Sequence, residues 1–240
     1  MNRKKFGRYL VLGVLFFLPV VFLLFLYPAT HNYRPLDIVE EHVLDLNEFE
    51  SNTNEHIVLK DHITVLGFLG NNPVDNAITA SNLKELVYDK FKGFKKFQIV
   101  ILMPKGTENA VEKLRAEISS YEDLRFWHFA FGEPNHIQRV FNSLKSNVKI
   151  NQDLSSKNVF IIDKDLNQRA RLDDRTDAEI ERNKPIYGLY SYNCIEVAEI
   201  KNKMSDDLRV LFTEYRQKRK GDFNSDTRRA NDLKNNNEEN

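Results

Sequence analysis

The sequence predicts a mixed α/β sandwich, a central sheet flanked by helices, preceded by one N-terminal transmembrane helix. Three observations carry that expectation. An uncharged apolar run, LVLGVLFFLPVVFLLFLY, occupies Leu10 to Tyr27. Beyond it, near-continuous apolar runs, the form of strands buried on both faces, alternate with segments whose apolar residues recur at helical spacing. The last of those runs is followed by a turn and a second extended segment rather than by another helix.

The apolar run spans roughly 27 Å as a helix, about the hydrocarbon thickness of a bilayer. Pro19 is tolerated in a membrane helix. Arg3, Lys4, Lys5 and Arg8 precede the run, and Arg34 follows it but so do Asp37, Glu40, Glu41 and Asp45. The positive-inside rule therefore predicts a short cytoplasmic segment, residues 1–9, and places everything after the span on the far side. In a bacterium with two membranes this is a single-pass inner-membrane protein with a periplasmic domain. A cleaved signal peptide is the competing reading. It lacks a small-x-small site, because YPATHN puts Tyr27 at the −3 position.

Residues 28–45 read as a stalk, with Leu36, Val39 and Val43 forming one amphipathic turn. Ile63–Leu69 (ITVLGFL) is the first buried strand. Leu83, Val87 and Phe91, with Leu86 beside them, mark the helix that follows. Phe97–Met103 (FQIVILM) is a second strand, stopped by Pro104. Thr107 is placed to cap the next helix, with Glu108 in its first turn and Val111, Leu114 and Ile118 inward. Leu124–Phe131 is a third strand, rich in aromatics. Pro134 opens a helix at N1, and Ile137, Val140, Phe141 and Leu144 give its stripe. Asn158–Ile162 (NVFII) is a fourth strand, with Gln168–Leu172 as its hairpin partner. A last helix runs from Ser205 to Lys218 on Leu208, Leu211, Phe212 and Tyr215. The tyrosine-rich IYGLYSY reads as a further strand or a packed loop. Residues 221–240 lack apolar periodicity and are expected to be disordered.

The order βαβαβα–ββ–α combines parallel crossovers with a closing hairpin. It is the order of a thioredoxin-like sandwich with one extra βα unit, and it assigns the domain to residues 46–220.

The chain has 240 residues, with 35 Lys and Arg against 35 Asp and Glu, so no net field exists to hold nucleic acid. A single cysteine, Cys194, excludes an internal disulfide, a CxxC centre and a multi-cysteine zinc site. No P-loop, Gly-x-Ser-x-Gly elbow or GxGxxG occurs.

After ITVLGFLG the chain reads Asn72-Pro73-Val74-Asp75-Asn76. Met103-Pro104 and Phe131-Gly132 end the next two strands, and SSKNVFIIDKD leads into the hairpin. In order and spacing, residues 45–172 resemble the SCO/SenC family of membrane-anchored thioredoxin-like copper chaperones, which serve cytochrome c oxidase assembly. That family has a Cys-Pro-x-x-Cys loop after its first buried strand and a histidine before its hairpin. Pro73 falls on the family proline, Asn72 and Asn76 on its cysteines, and Ser155 on its histidine. The resemblance implies a degenerate member without the three ligands.

Copper in such a loop needs soft thiolates and an imidazole, and asparagine amides are poor substitutes. Thiol–disulfide exchange needs two sulfurs. Asn72, Pro73, Asn76 and Ser155 are therefore expected to form a chemically inert site, retained for turn geometry or for binding a partner. Asn72 and Asn76 share a face if the loop is already helical. No cofactor and no metal is implied.

The leading expectation is a non-catalytic, membrane-anchored thioredoxin-like domain that binds a membrane or periplasmic protein partner. Oxidase assembly is implied by the resemblance alone. Two alternatives stay open: an oxidoreductase or peroxidase using Cys194, and a metal carrier using histidines such as His62, His128 and His136 with carboxylates. Asp173-Asp174 and Asp206-Asp207 read as a loop and as a helix's first turn. Arg216, Lys218, Arg219 and Lys220 read as ordinary cations at a helix C-terminus.

Overall fold

The computed structural model describes residues 3–26, 35–51, 56–119 and 124–220. The YPATHN segment, the first part of the expected stalk, His31 and the tail expected to be disordered over 221–240 lie outside the described residues. The chain divides into two compact units, Met1–Arg34 and Pro35–Asn240.

The first unit holds helix α1 (Arg3–Leu26), with Pro19 inside it. Among the described residues no helix is long and apolar enough to cross a membrane.

The second unit is built on one sheet. Its strands are β1 (Asp37–Glu40), β2 (Glu50–Ser51), β3 (Ile63–Leu69), β4 (Phe97–Pro104), β5 (Trp127–Gly132), β6 (Ser155–Ile162), β7 (Gln168–Ala170) and β8 (Tyr192–Asn193). Across the sheet the order is β1-β7-β6-β3-β4-β5-β2, with β8 added on β6. The three central neighbours β3, β4 and β5 run parallel. β6 is antiparallel to β3, and β7 to β6. Parallel β3 and β4, flanked by the antiparallel β6–β7 hairpin, make the thioredoxin-like arrangement, and β5 is the added βα unit.

Every residue of β3 and of β4 is buried. Period two divides their side chains between two cores. Val65, Ile99, Ile101 and Ile161 pack under the helical segment Ala77–Phe91, α4 (Glu108–Ser119) and α7 (Ser205–Lys220). Leu66, Val100, Leu102 and Phe160 pack under α5 (Pro134–Asn142) and under Val43, Leu46, Ile57 and Leu59. The segment 77–91 begins as α2 (Ala77–Leu83), passes through a π turn (Lys84–Tyr88) and ends as α3 (Asp89–Phe91). Leu83, Val87 and Phe91 are buried as their spacing predicts, and Tyr88 joins them.

Several expectations need correction. The stalk does not extend to residue 45. Asp37–Glu40 is strand β1, paired antiparallel with β7. Leu36, Val39 and Val43 are buried in the domain rather than forming an amphipathic turn. Four residues of alternating burial are too short to tell a strand from a helical turn by pattern alone. Thr107 does stand just before α4, its carbonyl accepting from the Ala110 and Val111 N–H groups at 3.0 Å, and its hydroxyl donates to the carbonyl of Pro104 at 2.7 Å to close the strand–helix turn. β6 begins at Ser155, three residues before the apolar run, and β7 ends at Ala170. Around the tyrosine-rich IYGLYSY, residues 175–204 contain α6 (Asp177–Glu181), β8 and a π turn (Glu199–Met204) leading into α7.

The acidic pairs are only partly surface groups. Asp207 accepts both branches of the Arg171 guanidinium at 2.8–3.1 Å and the Tyr192 hydroxyl at 2.6 Å. Asp174 accepts from Arg171 at 2.9 Å and pairs with Lys203. Burial, then the Asp207 carboxylate, pushes the Tyr192 phenol far above its usual range, so it remains a donor. Arg169 is buried between Asp163, at 3.1 Å, and Glu214, at 2.5 Å. These contacts tie α7 to the hairpin.

Candidate functional site

The four residues singled out by position gather at one end of the sheet, where β3 stops and β6 starts. Leu69 pairs with Ser155 across the β3–β6 ladder. Gly70 follows with φ +71, and a Cβ there would lie 2.6 Å from the carbonyl oxygen of Asp153 and 2.8 Å from the Ser155 Cβ. Only glycine meets both the left-handed backbone and that approach. The Asn71 N–H then donates to the same Asp153 carbonyl at 2.9 Å, fastening the loop to the start of β6. Gly70→Ala should cost about 1–3 kcal/mol of stability, from strain and displaced backbone. A denaturation midpoint equal to the parent's would show that the loop is not held this way.

From Asn72 onward the backbone turns with i→i+3 bonds: Asp75 N–H to Asn72 O, Asn76 N–H to Pro73 O and Ala77 N–H to Val74 O, at 3.1–3.2 Å. This tighter winding differs from the expected α-helical face. At about three residues per turn, positions 72 and 76 point roughly a third of a turn apart. Pro73 is buried, Asn72 is exposed and Asn76 is half-buried. The Asn76 amide donates to the carbonyl of Leu69 at 2.9 Å and does not cap α2 with its side chain. It closes the crossover loop on the strand that feeds it.

Ser155 is 4% exposed. Its hydroxyl donates to Asp153 Oδ1 at 2.7 Å and accepts from the Asn151 amide at 2.9 Å. The Ser155 N–H donates to the same carboxylate oxygen at 3.1 Å. Asn151, Asp153 and Gly70 were not among the residues singled out in the sequence. The Asp-x-Ser spacing after a polar turn, and a glycine closing an apolar run, are the signals that could have found them. Outward from this knot stand Asn71 and Asn72, then Val74 and Ile78, 48% and 66% exposed. The surface is neutral apart from Asp75.

Cys194 is elsewhere, on the stretch following β8. It is fully buried, its N–H donates to the Lys157 carbonyl at 2.8 Å, and its own carbonyl accepts from the Asn82 amide at 2.9 Å. Burial first, and the Glu199 carboxylate second, push the thiol up. The attacking species in thiol chemistry is the thiolate, so this environment works against the role considered for Cys194.

The histidines considered as ligands are dispersed. The ring Nδ1 of His62 lies 3.0 Å from the Lys60 carbonyl. His128 stands on β5 opposite Val100. His136 Nδ1 is 3.8 Å from Glu48. Among the described residues no three His, Cys, Asp or Glu side chains come together as a metal-binding group.

No protein-family model matches the chain, and no curated protein matches it in sequence. Solved structures resemble it in shape. The thioredoxin domain of a thiol-disulfide oxidoreductase from Bacteroides vulgatus is 12% identical over 73% of this chain and 98% of that one, with a TM-score of 0.41. The soluble domain of Sco1 from Bacillus subtilis is 14% identical over 72% and 91%, with a TM-score of 0.40. The copper-bound ScoI of Bradyrhizobium japonicum is 12% identical over 72% and 99%, with a TM-score of 0.38.

Proposed function

We propose that this chain is a single-pass membrane protein whose thioredoxin-like domain is a non-catalytic binding module for a protein partner. In a bacterium with two membranes the domain would face the periplasm. The reading is carried by one observation: the polar groups at the functional end of the sheet are already spent on internal bonds. The Ser155 hydroxyl and Asn76 amide each have protein partners, and no sulfur stands in the loop. What remains outward is an amide-bearing and apolar surface of Asn71, Asn72, Val74 and Ile78, suited to contact rather than chemistry. The anchor is supported by the uncharged run Leu10–Tyr27 and the cations before it. An accessory role in respiratory-oxidase assembly rests on the resemblance in order and spacing described for residues 45–172.

Two measurements on the full chain in detergent test the chemistry. Cu(I) should be surrendered completely to a competing chelator, because the loop offers no soft ligand. Dithiol reductase activity should equal the uncatalysed rate, because no exposed thiolate exists. Stoichiometric Cu(I) retained against the chelator, or reduction abolished by Cys194→Ala, would replace this reading with a carrier or an oxidoreductase. For the partner, a photo-crosslinking residue at Val74 should give one discrete adduct in native membranes. Absence of any adduct there, with normal expression, removes the binding reading. A topology reporter fused after Lys220 should be active only outside the cytoplasm.

A further inference from the structure

Between β7 and β8 the chain makes an excursion that packs Leu189 against one core at its base, while Ile180–Tyr187 joins neither core. Its helix α6 has no buried residue. It is nevertheless held in a definite shape. The Arg175 fork grips Asp173 at 2.8–3.2 Å and donates to the Lys184 carbonyl at 2.7 Å. Glu179 accepts from the Thr176 N–H and hydroxyl at 3.0 Å, from the Tyr187 hydroxyl at 2.9 Å and from Lys184 at 3.2 Å. These donors, the Thr176 N–H first, hold the Glu179 carboxyl down at about 2, so the ties persist at any physiological pH. The result of this polar bracing is to present apolar side chains to solvent. Ile186 is 68% exposed, Tyr187 45% and Ile180 41%.

The position of this excursion narrows what covers it. Its base is joined to the place where the chain enters the domain. The Asp174 N–H donates to the Tyr187 carbonyl at 2.9 Å, Arg171 and Leu189 exchange backbone bonds at 2.9 and 3.1 Å, and the Leu172 N–H donates to Asp37 Oδ2 at 2.8 Å. Asp37 is three residues past Arg34, where the compact unit begins. The eight residues from Tyr27 to Arg34 can extend no more than about 30 Å. If the helix is anchored as proposed above, the point of attachment lies no farther than that from the lipid surface.

We propose that the Ile180–Tyr187 excursion seats in the interfacial layer of the bilayer, with Ile186 among the upper acyl carbons and Tyr187 at head-group level. The proposal rests on the membrane-anchor reading given above. Tyrosine is suited to that boundary, its ring apolar and its hydroxyl polar. Arg182, exposed just before the apolar pair, can reach head groups, whereas Lys184 is tied to Glu179. Asp177 and Glu181 lie on the same excursion, so the attraction is apolar area rather than net charge.

The test uses the full chain reconstituted into phosphatidylcholine vesicles, with Ile186→Trp as a reporter and the parent's spectrum, from buried Trp127, subtracted. Because Ile186 is exposed, the variant should melt with the parent. Its emission should shift to the blue and be quenched about twofold or more by lipids brominated high on the acyl chain, as for a ring seated about 5–10 Å deep. A control, Glu50→Trp on β2, stands at the opposite edge of the sheet, some five strand spacings or about 24 Å from β7, where the excursion leaves it, and should not be quenched. Vesicles that float with the protein while the Trp at position 186 is quenched no more than the control overturn this inference and leave the anchor standing. A chain that fails to float with the vesicles overturns the anchor, and this inference with it.

Discussion

Arg169→Ala is expected to lower the unfolding free energy by about 3–5 kcal/mol, the cost of leaving buried charge without its partner. The side chain is 4% exposed and the carboxylates it joins, Asp163 and Glu214, are as deeply buried. Its Nη2 also donates to the Leu36 carbonyl at 2.9 Å, so one guanidinium links the hairpin, α7 and the first residues of the domain. Burial alone would lower its pKa, and the two carboxylates outweigh that, so it stays charged. Asp163 keeps N–H donors from Asp165 and Asn167 when the arginine is removed, whereas Glu214 keeps only Lys218, at 2.7 Å. The loss should therefore be partly recovered by pairing Arg169→Met with Glu214→Leu, which removes the stranded charge and fills its volume. Urea denaturation of the parent, the single and the double variant measures both effects. A single-variant loss under about 1 kcal/mol, the range of an exposed pair, would show that the pair is not buried.

Phe160→Ala should be comparably damaging, about 3–5 kcal/mol, through lost burial and a residual cavity. Phe160 is fully buried on β6. Its ring stands edge-on to Phe68 at 6.2 Å and to Phe141 at 5.8 Å, while Phe68 and Phe141 meet edge-on at 5.3 Å. The three rings join β3, β6 and α5 on one face of the sheet. Edge-to-face contacts add about 0.5–1.5 kcal/mol per pair beyond area, so truncating the shared ring removes two of them. Phe160→Leu should lose less than the alanine variant because it keeps most of the volume. Equal losses for leucine and alanine would mean that the aromatic geometry contributes and the cavity does not.

The candidate site was legible as a place and less so as a structure. Asn72, Pro73, Asn76 and Ser155 were found by their positions relative to apolar runs, and the fold brings their backbones together. What each does was hidden. Asn76 reaches back to Leu69 and Ser155 reaches to Asp153 and Asn151. Those bonds depend on i→i+3 winding and on the β3–β6 register, which no local spacing states. Cys194 reads in the sequence more as a small packed residue than as a reactive thiol, and its bonds to Lys157 of β6 and Asn82 of α2 place it where it is wholly buried.

The sequence by itself determined the order of elements and which strands are central. Runs of seven or eight residues that are apolar but for Thr64 in β3 and Gln98 in β4 have no stable home except between two cores, and the helical stripes on either side supply those cores. It also determined the absence of a dithiol centre, since one cysteine cannot make one. Only the tertiary structure decided the edges and the polar interior. β1 is a strand because β7 presents a free ladder to it, and four alternating residues carry no such instruction alone. Arg169, Arg171, Asp174, Asp207 and Glu214 look like surface charges in the chain. They become internal struts because each finds counter-charges 3 to 45 positions away, and a charge can be buried only where the fold delivers its partner.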